Sequence, residues 1–183
     1  MYIKKIVWVM RGIMYKPFLR KMGRYSYIGK PIWMSKKKNI SIGNRVRIYP
    51  GARIETVKDG RITIEDNVSI AQNFHCTSQG DLVIEKNTTI LGNVFITNID
   101  HDYTEIGKHI LEQNNLMKET KIGENCFIGF GASIQAGTKL GKQCIVGTNA
   151  VVRGEFPDYS VIVGVPAKVI KRYNFETKKW EKI

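Results

Sequence analysis

Residues 122–152 read IGENCF IGFGAS IQAGTK LGKQCI VGTNAV V, and this stretch decides the fold. An aliphatic residue opens every block of six: Ile122, Ile128, Ile134, Leu140, Val146 and Val152. Four residues after each opener stands a smaller residue of buried type: Cys126, Ala132, Thr138, Cys144 and Ala150. A period of six is a multiple of two and not of 3.6, so these residues line one face of extended segments and not one face of a helix. Gly123, Gly129, Gly141 and Gly147 follow openers, which suits a backbone that turns inside every block. Short strands joined by turns of fixed length wind into a parallel β-helix, whose inward residues stack from coil to coil.

Upstream the same period runs less regularly. Ile42, Ile48 and Ile54 open three blocks, with Val46 and Ala52 as inward partners. Insertions at residues 58–61 and 79–81, around Asp59-Gly60 and Gly80-Asp81, shift its phase before Ile64 and Ile70 and again before Ile84, Ile90 and Ile96. Such insertions belong at corners, because only corners lengthen without breaking the stack. After Ile96 the period lapses until Ile122, and the polar gap reads as an arm extruded over about residues 98–120. Downstream, Phe156-Pro157 breaks the count. Before the body, Ile3, Ile6, Val7, Met10, Ile13, Met14, Phe18 and Met22 follow helical spacing over residues 2–22, with Lys4, Lys5, Trp8, Arg11 and Lys16 mainly between them. Pro17 is expected to end or kink that helix. The expected organisation is a basic helical segment at 1–39, a repeat body at 40–167 and a short basic tail at 168–183.

The net charge of +13 is unevenly placed. Residues 1–38 carry 11 Lys and Arg and no acid, residues 168–183 carry 6 bases and 2 acids, and the remainder holds 12 bases and 14 acids. A near-neutral body argues against a nucleic-acid groove along it, since such a groove needs clustered bases on the binding face. The basic amphipathic helix either packs on the end of the body or makes peripheral contact with anionic lipid. The apolar run ending at Arg11 is too short for a membrane span or a signal peptide. Three cysteines argue against a disulfide framework, and Cys76 has no Cys-x-x-Cys partner. Cys126 and Cys144, three repeats apart, are expected to stack inside the coil.

His101 lies five residues past an opener, where the coil gives way to the arm. A histidine there can be held by the coil while the arm covers it, and imidazole is a side chain suited to general-base work near neutral pH. Asp100 and Asp102 flank it and either could orient the ring. Asn73 and His75 stand near a corner that could border a groove. The separations of His75, His101 and His109 contain no short metal-binding pair, so no metal is expected. Gly129-Phe-Gly131 lacks the third glycine of G-x-G-x-x-G and the Gly-Lys-Ser/Thr of a P-loop, so it is not a phosphate loop.

The ladder, Phe127 before Ile128-Gly129, VGTNAVV, the closing GVPAKVIK and the Asp-His-x-Tyr stretch together resemble the hexapeptide-repeat acyltransferases, in their sugar and xenobiotic O-acetyltransferase branch. The resemblance covers roughly residues 40–172. It implies an all-β fold, a left-handed parallel β-helix assembled as a homotrimer, with acetyl-CoA as acyl donor in the groove between neighbours. By position it implies His101 as catalytic base; Gly129, Phe130, Thr148, Arg153, Lys168 and Lys171 along the donor; and Asn73 and His75 beside a sugar or glycan acceptor. Phe127 and Phe130 depart from the family's usual Trp and small residue. The implied reaction is direct acetyl transfer to a sugar hydroxyl in cell-surface polysaccharide assembly, in the cytoplasm or at the inner face of the membrane. Two other readings remain on the same coil: a γ-carbonic-anhydrase-like metal enzyme, which needs three convergent histidines, and a non-catalytic interaction scaffold.

Overall fold

The computed structural model describes residues 2–183; Met1 and the side chains of Ile3 and Lys4, which the helical spacing counts, lie outside the described residues. The chain winds into a parallel β-solenoid of about seven turns with one helix before it. Each full turn contributes a short strand to each of three sheets of seven, nine and six strands. Three aliphatic columns fill the interior. Ile42, Ile64, Ile84, Ile122 and Leu140 stack in register behind the first sheet. Ile28, Ile48, Ile70, Ile90, Ile128, Val146 and Ile162 do so behind the second, and Met34, Ile54, Cys76, Ile96, Ile134 and Val152 behind the third. Nearly all are fully buried.

At many corners an asparagine stands one residue before the inward position that follows the turn. Asn67, Asn73, Asn87, Asn93, Asn125 and Asn149 all hold φ between 55° and 61°, a left-handed conformation that asparagine tolerates better than most L-residues. Their side chains also bond from turn to turn: Asn73 Nδ2 donates to Asn93 Oδ1 at 3.0 Å, and Asn67 Nδ2 to Asn87 Oδ1 at 3.0 Å. All three cysteines are buried free thiols, Cys76 in the third column. Cys126 Sγ donates to the Gly141 carbonyl at 3.2 Å and Cys144 Sγ to that of Pro157 at 3.3 Å.

Both ends differ from expectation. The first turn starts at Lys21–Met22, not near Ile40, and continues through Tyr27–Ile28 and Trp33–Met34. Met22, Ile28 and Met34 are themselves six apart, a signal masked by the surrounding basic residues and Pro31. The basic tail is a pair of strands, Ala167–Asn174 and Lys179–Lys182, that fold back antiparallel on the second sheet. The helix spans Tyr2–Tyr15, and Pro17 sits in a 3-10 turn at Lys16–Phe18. It lies across the free end of the first turn, but with the opposite face inward from the one its apolar spacing suggests. Trp8 packs on Tyr27 and Tyr49 with ring centroids 5.8 and 5.5 Å away, and Tyr15 packs on the core. Gly12 is buried where a Cβ would come 3.3 Å from the Ser26 carbonyl oxygen, and Arg11 Nη1 donates to the Ile28 carbonyl at 3.3 Å. The first turn's outward carbonyls need donors and close backbone approach, which Arg11 and Gly12 supply and an isoleucine stripe does not.

Because Ile134 is fully enclosed in the third column, Ile134→Ala is expected to cost about 2–5 kcal/mol. The outward-facing Ser69→Ala is expected to stay within about 0.5 kcal/mol. Denaturant titration of both variants measures the difference.

Candidate functional site

The polar gap after Ile96 forms an arm at the corner between the third and first sheets. Its base is a short hairpin in which Ile99–His101 pairs antiparallel with Asn115–Met117, His101 opposite Asn115. Asn98 anchors it. This asparagine is fully buried; its Oδ1 accepts from the Gln79 amide at 2.9 Å, its Nδ2 donates to Ser78 Oγ at 3.1 Å, and its carbonyl accepts from the Lys118 amide at 2.9 Å. Thr97 Oγ1 accepts from Thr77 Oγ1 at 2.8 Å and from the Ile99 amide at 3.0 Å, while Asn115 Nδ2 donates to Gln79 Oε1 at 2.9 Å. Farther out, Gln113 closes the arm on itself, donating to the Glu105 and Lys108 carbonyls at 3.3 and 3.0 Å. His109 Nδ1 accepts from the Leu111 amide at 3.2 Å, a capping role at a short 3-10 turn.

Beside this hairpin the outer face of the third sheet forms a groove of about 420 Å³, bordered by Thr77, Phe95, Thr97, His101, Asn115 and Arg153 among others. His101 is exposed at its rim. Neither flanking acid is free to orient its ring by a bond already in place. Asp100 Oδ2 accepts from Lys118 Nζ at 3.0 Å and from Arg153 Nη2 at 2.9 Å, and these bonds, Lys118 first, hold its carboxyl below the usual range. Asp102 Oδ1 accepts from the Thr104 amide and hydroxyl at 3.0 and 2.8 Å, which lowers its pKa as well.

His75 lies next to the groove, its ring 5.1 Å from that of Phe95. Arg53 grips Glu55 through two bonds of 3.0 and 3.1 Å. His75 Nε2 stands 3.8 Å from Glu55 Oε2, beyond hydrogen-bonding reach, and is buried without a partner. Burial first, and then Arg53, lower the imidazole pKa despite Glu55.

The other residues singled out from the sequence fall elsewhere. Asn73, Phe130 and Thr148 share the corner between the second and third sheets. There Gly129 lies against the next turn, where a Cβ would come 2.6 Å from the Thr148 amide nitrogen. Phe130 is exposed over Gly92. Asn73 already spends its amide on Asn93. Lys168 and Lys171 lie on the returning strand, opposite Val163 and Val161, away from the groove that holds His101 and Arg153. Within the described residues, no three His, Cys, Asp or Glu side chains gather as a metal site would require. Asn98, Gln113 and Arg53–Glu55 escaped sequence reasoning. Only the placement of Asn98 two residues past an opener, where the period fails, hinted at a hinge.

Residues 119–154 of this three-sheeted coil match the family model described as bacterial transferase hexapeptide (six repeats). Over 162 residues the chain is 34% identical to WbbJ of Escherichia coli K12, named as a lipopolysaccharide biosynthesis O-acetyl transferase, covering 83% of this chain and 81% of that protein. The chain belongs to the hexapeptide-repeat acyltransferases and is an enzyme of acyl transfer. It is also 26% identical to the galactoside O-acetyltransferase of E. coli K12, over 93% of this chain and 72% of that one. Among solved structures it shares the fold of AntD, an N-acyltransferase from Bacillus cereus in complex with dTDP and 3-hydroxybutyryl-CoA. That match has a TM-score of 0.75, 18% identity, and coverage of 91% and 90% of the two chains.

Two outcomes test the geometry. Asn98→Ala strips side-chain partners from the Gln79 amide and Ser78 Oγ, so it is expected to cost roughly 1–3 kcal/mol and to speed amide exchange at Met117 and Lys118 selectively. His75 titrates lower folded than unfolded, so protonation favours the unfolded chain. Stability is therefore expected to fall as the pH drops through the ordinary imidazole value of about 6.5. In His75→Gln, melting curves across that window are expected to show a smaller decline.

Proposed function

We propose that this chain transfers an acetyl group from acetyl-CoA to a hydroxyl of a sugar or glycan acceptor, in the assembly of cell-surface polysaccharide. The single observation that carries the reading is His101 at the rim of a groove, on a hairpin bonded to the coil through Asn98, Thr97 and Asn115. A rigidly based imidazole facing open space is suited to take a proton from a bound hydroxyl. With Asp100 and Asp102 engaged by Lys118, Arg153 and Thr104, the ring is free to be aligned by the acceptor itself. The names of the relatives support the donor and acceptor classes: O-acetyl transfer in lipopolysaccharide biosynthesis for one, galactoside O-acetylation for another.

In this reading His101 removes the acceptor proton as its oxygen attacks the thioester carbonyl, and the thiolate of CoA leaves. Backbone N–H groups of the groove donate to the developing oxyanion. Gly129, Phe130 and Thr148 guide the pantetheine along the corner they share, Lys168 and Lys171 on the returning strand serve the nucleotide and phosphates, and Arg153, bonded to Asp100 beside His101, borders the donor nearer its reacting end. His75 and Asn73 border the acceptor. The groove is open on one side, which suits a homotrimer in which a neighbouring copy completes each site. The enzyme acts in the cytoplasm, peripheral to the inner face of the membrane.

His101→Ala is expected to lower the rate of CoA release by about 10² to 10⁴ while acetyl-CoA still protects the variant against heat. Full turnover in that variant would remove His101 from the mechanism. A wild-type chain that acetyl-CoA fails to protect would remove the reaction itself.

A further inference from the structure

The inverted seating of the N-terminal helix leaves its apolar stripe uncovered. With Trp8, Gly12 and Tyr15 turned to the body, Ile6, Met10, Ile13 and Met14 point away from it, Ile13 65% and Met14 70% exposed. These positions recur at helical spacing and form one continuous stripe. Phe18, also exposed, extends it beyond the end of the helix and shares an open depression with Lys36, Lys37 and Lys38. Lys37 Nζ sits 5.7 Å from the Tyr15 ring centroid, which joins the cluster to the helix, and Lys36 Nζ donates to the Lys58 carbonyl at 2.7 Å, which joins it to the coil.

We propose that this face is a docking surface for a bilayer with anionic headgroups. Residues 1–38 hold 11 bases and no acid. Two copies meeting through the stripe would press like charges together, whereas anionic headgroups neutralise them and accept the apolar side chains in one contact. The 14-residue helix is roughly 21 Å long at 1.5 Å per residue. No described helix is long and apolar enough to cross a membrane. The helix therefore lies in the plane of the headgroups with the solenoid end behind it. This deepens the peripheral placement proposed above and does not depend on the acetyl-transfer reaction.

The full chain is sedimented with vesicles of pure phosphatidylcholine and with vesicles of equal parts phosphatidylcholine and phosphatidylglycerol. Binding is expected on the mixed vesicles only, and is expected to weaken as salt rises. The double variant Met10→Glu, Ile13→Glu is expected to lose binding at least about tenfold, with acetyl transfer to a soluble acceptor and the mass by light scattering both unchanged. Neutralising Lys36, Lys37 and Lys38 to Gln is expected to weaken binding on the order of a hundredfold. No sedimentation, equal binding to neutral vesicles, or a change of assembled mass in the Glu variant would overturn the proposal, the last because it assigns the stripe to a second copy. A chain that sediments but transfers no acetyl group sinks only the enzymatic reading.

Discussion

Closure of every turn in register is the constraint on which this structure depends. Parallel strands two to four residues long contribute few bonds each, so the stack holds only where inward side chains meet those of the turns above and below. That requirement fixes where sequence freedom lies. Ile84 pairs with Ile122 and Leu82 with Thr120 as though the arm between them were absent. The arm is therefore an addition to a complete turn and not an interruption of one. Outside the first sheet, Lys139–Glu155 at 3.3 Å follows the same register, and Lys121, opposite Val83, reaches diagonally to Glu85 at 2.7 Å. Their exposure keeps each near 0–1 kcal/mol, so they decorate the stack and do not hold it.

The same constraint gives the arm its rigidity. A long surface loop is ordinarily the least ordered part of a domain, yet Asn98 is buried beneath this one and bonded on every side. The hairpin base inherits the order of the third sheet through Thr77 and Thr97, and Gln113 passes it to the tip. Arg153, two turns onward, reaches Asp100 and ties the hairpin to a second level of the coil. Acidic groups beside His101 thus serve the position of its backbone, while the ring itself faces the groove.

What the sequence revealed follows from which forces act locally. The ladder from Ile122 was legible because the spacing of inward residues is a property of the strand itself. The arm was legible as a failure of that spacing. The first turn was missed because Met22, Ile28 and Met34 carry the period without the Ile-Gly signature and amid charge. The helix was legible as amphipathic, but its seating was not: Gly12 packs where a Cβ would come 3.3 Å from the Ser26 carbonyl oxygen and Arg11 donates to the Ile28 carbonyl, contacts that no helical spacing reports. For the candidate site, His101 stood out by its position. The Arg53–Glu55–His75 cluster depends on residues about twenty apart meeting across the third sheet, and so emerges only once the register is known. Lys168 and Lys171 looked like part of a loose tail, although they belong to a paired strand.

A solenoid is, in principle, a growing filament: each end presents a ladder of open backbone groups to the next molecule. Here the helix obstructs one end with Gly12 and Arg11 against the first turn's carbonyls. At the other, the chain reverses into Ala167–Asn174 and Lys179–Lys182, replacing the parallel edge of the second sheet with an antiparallel one flanked by Lys179 and Lys182. End-to-end stacking of copies is thereby disfavoured by geometry at one pole and by direction and charge at the other. Copies of the chain are thereby left to meet through the flanks of the coil.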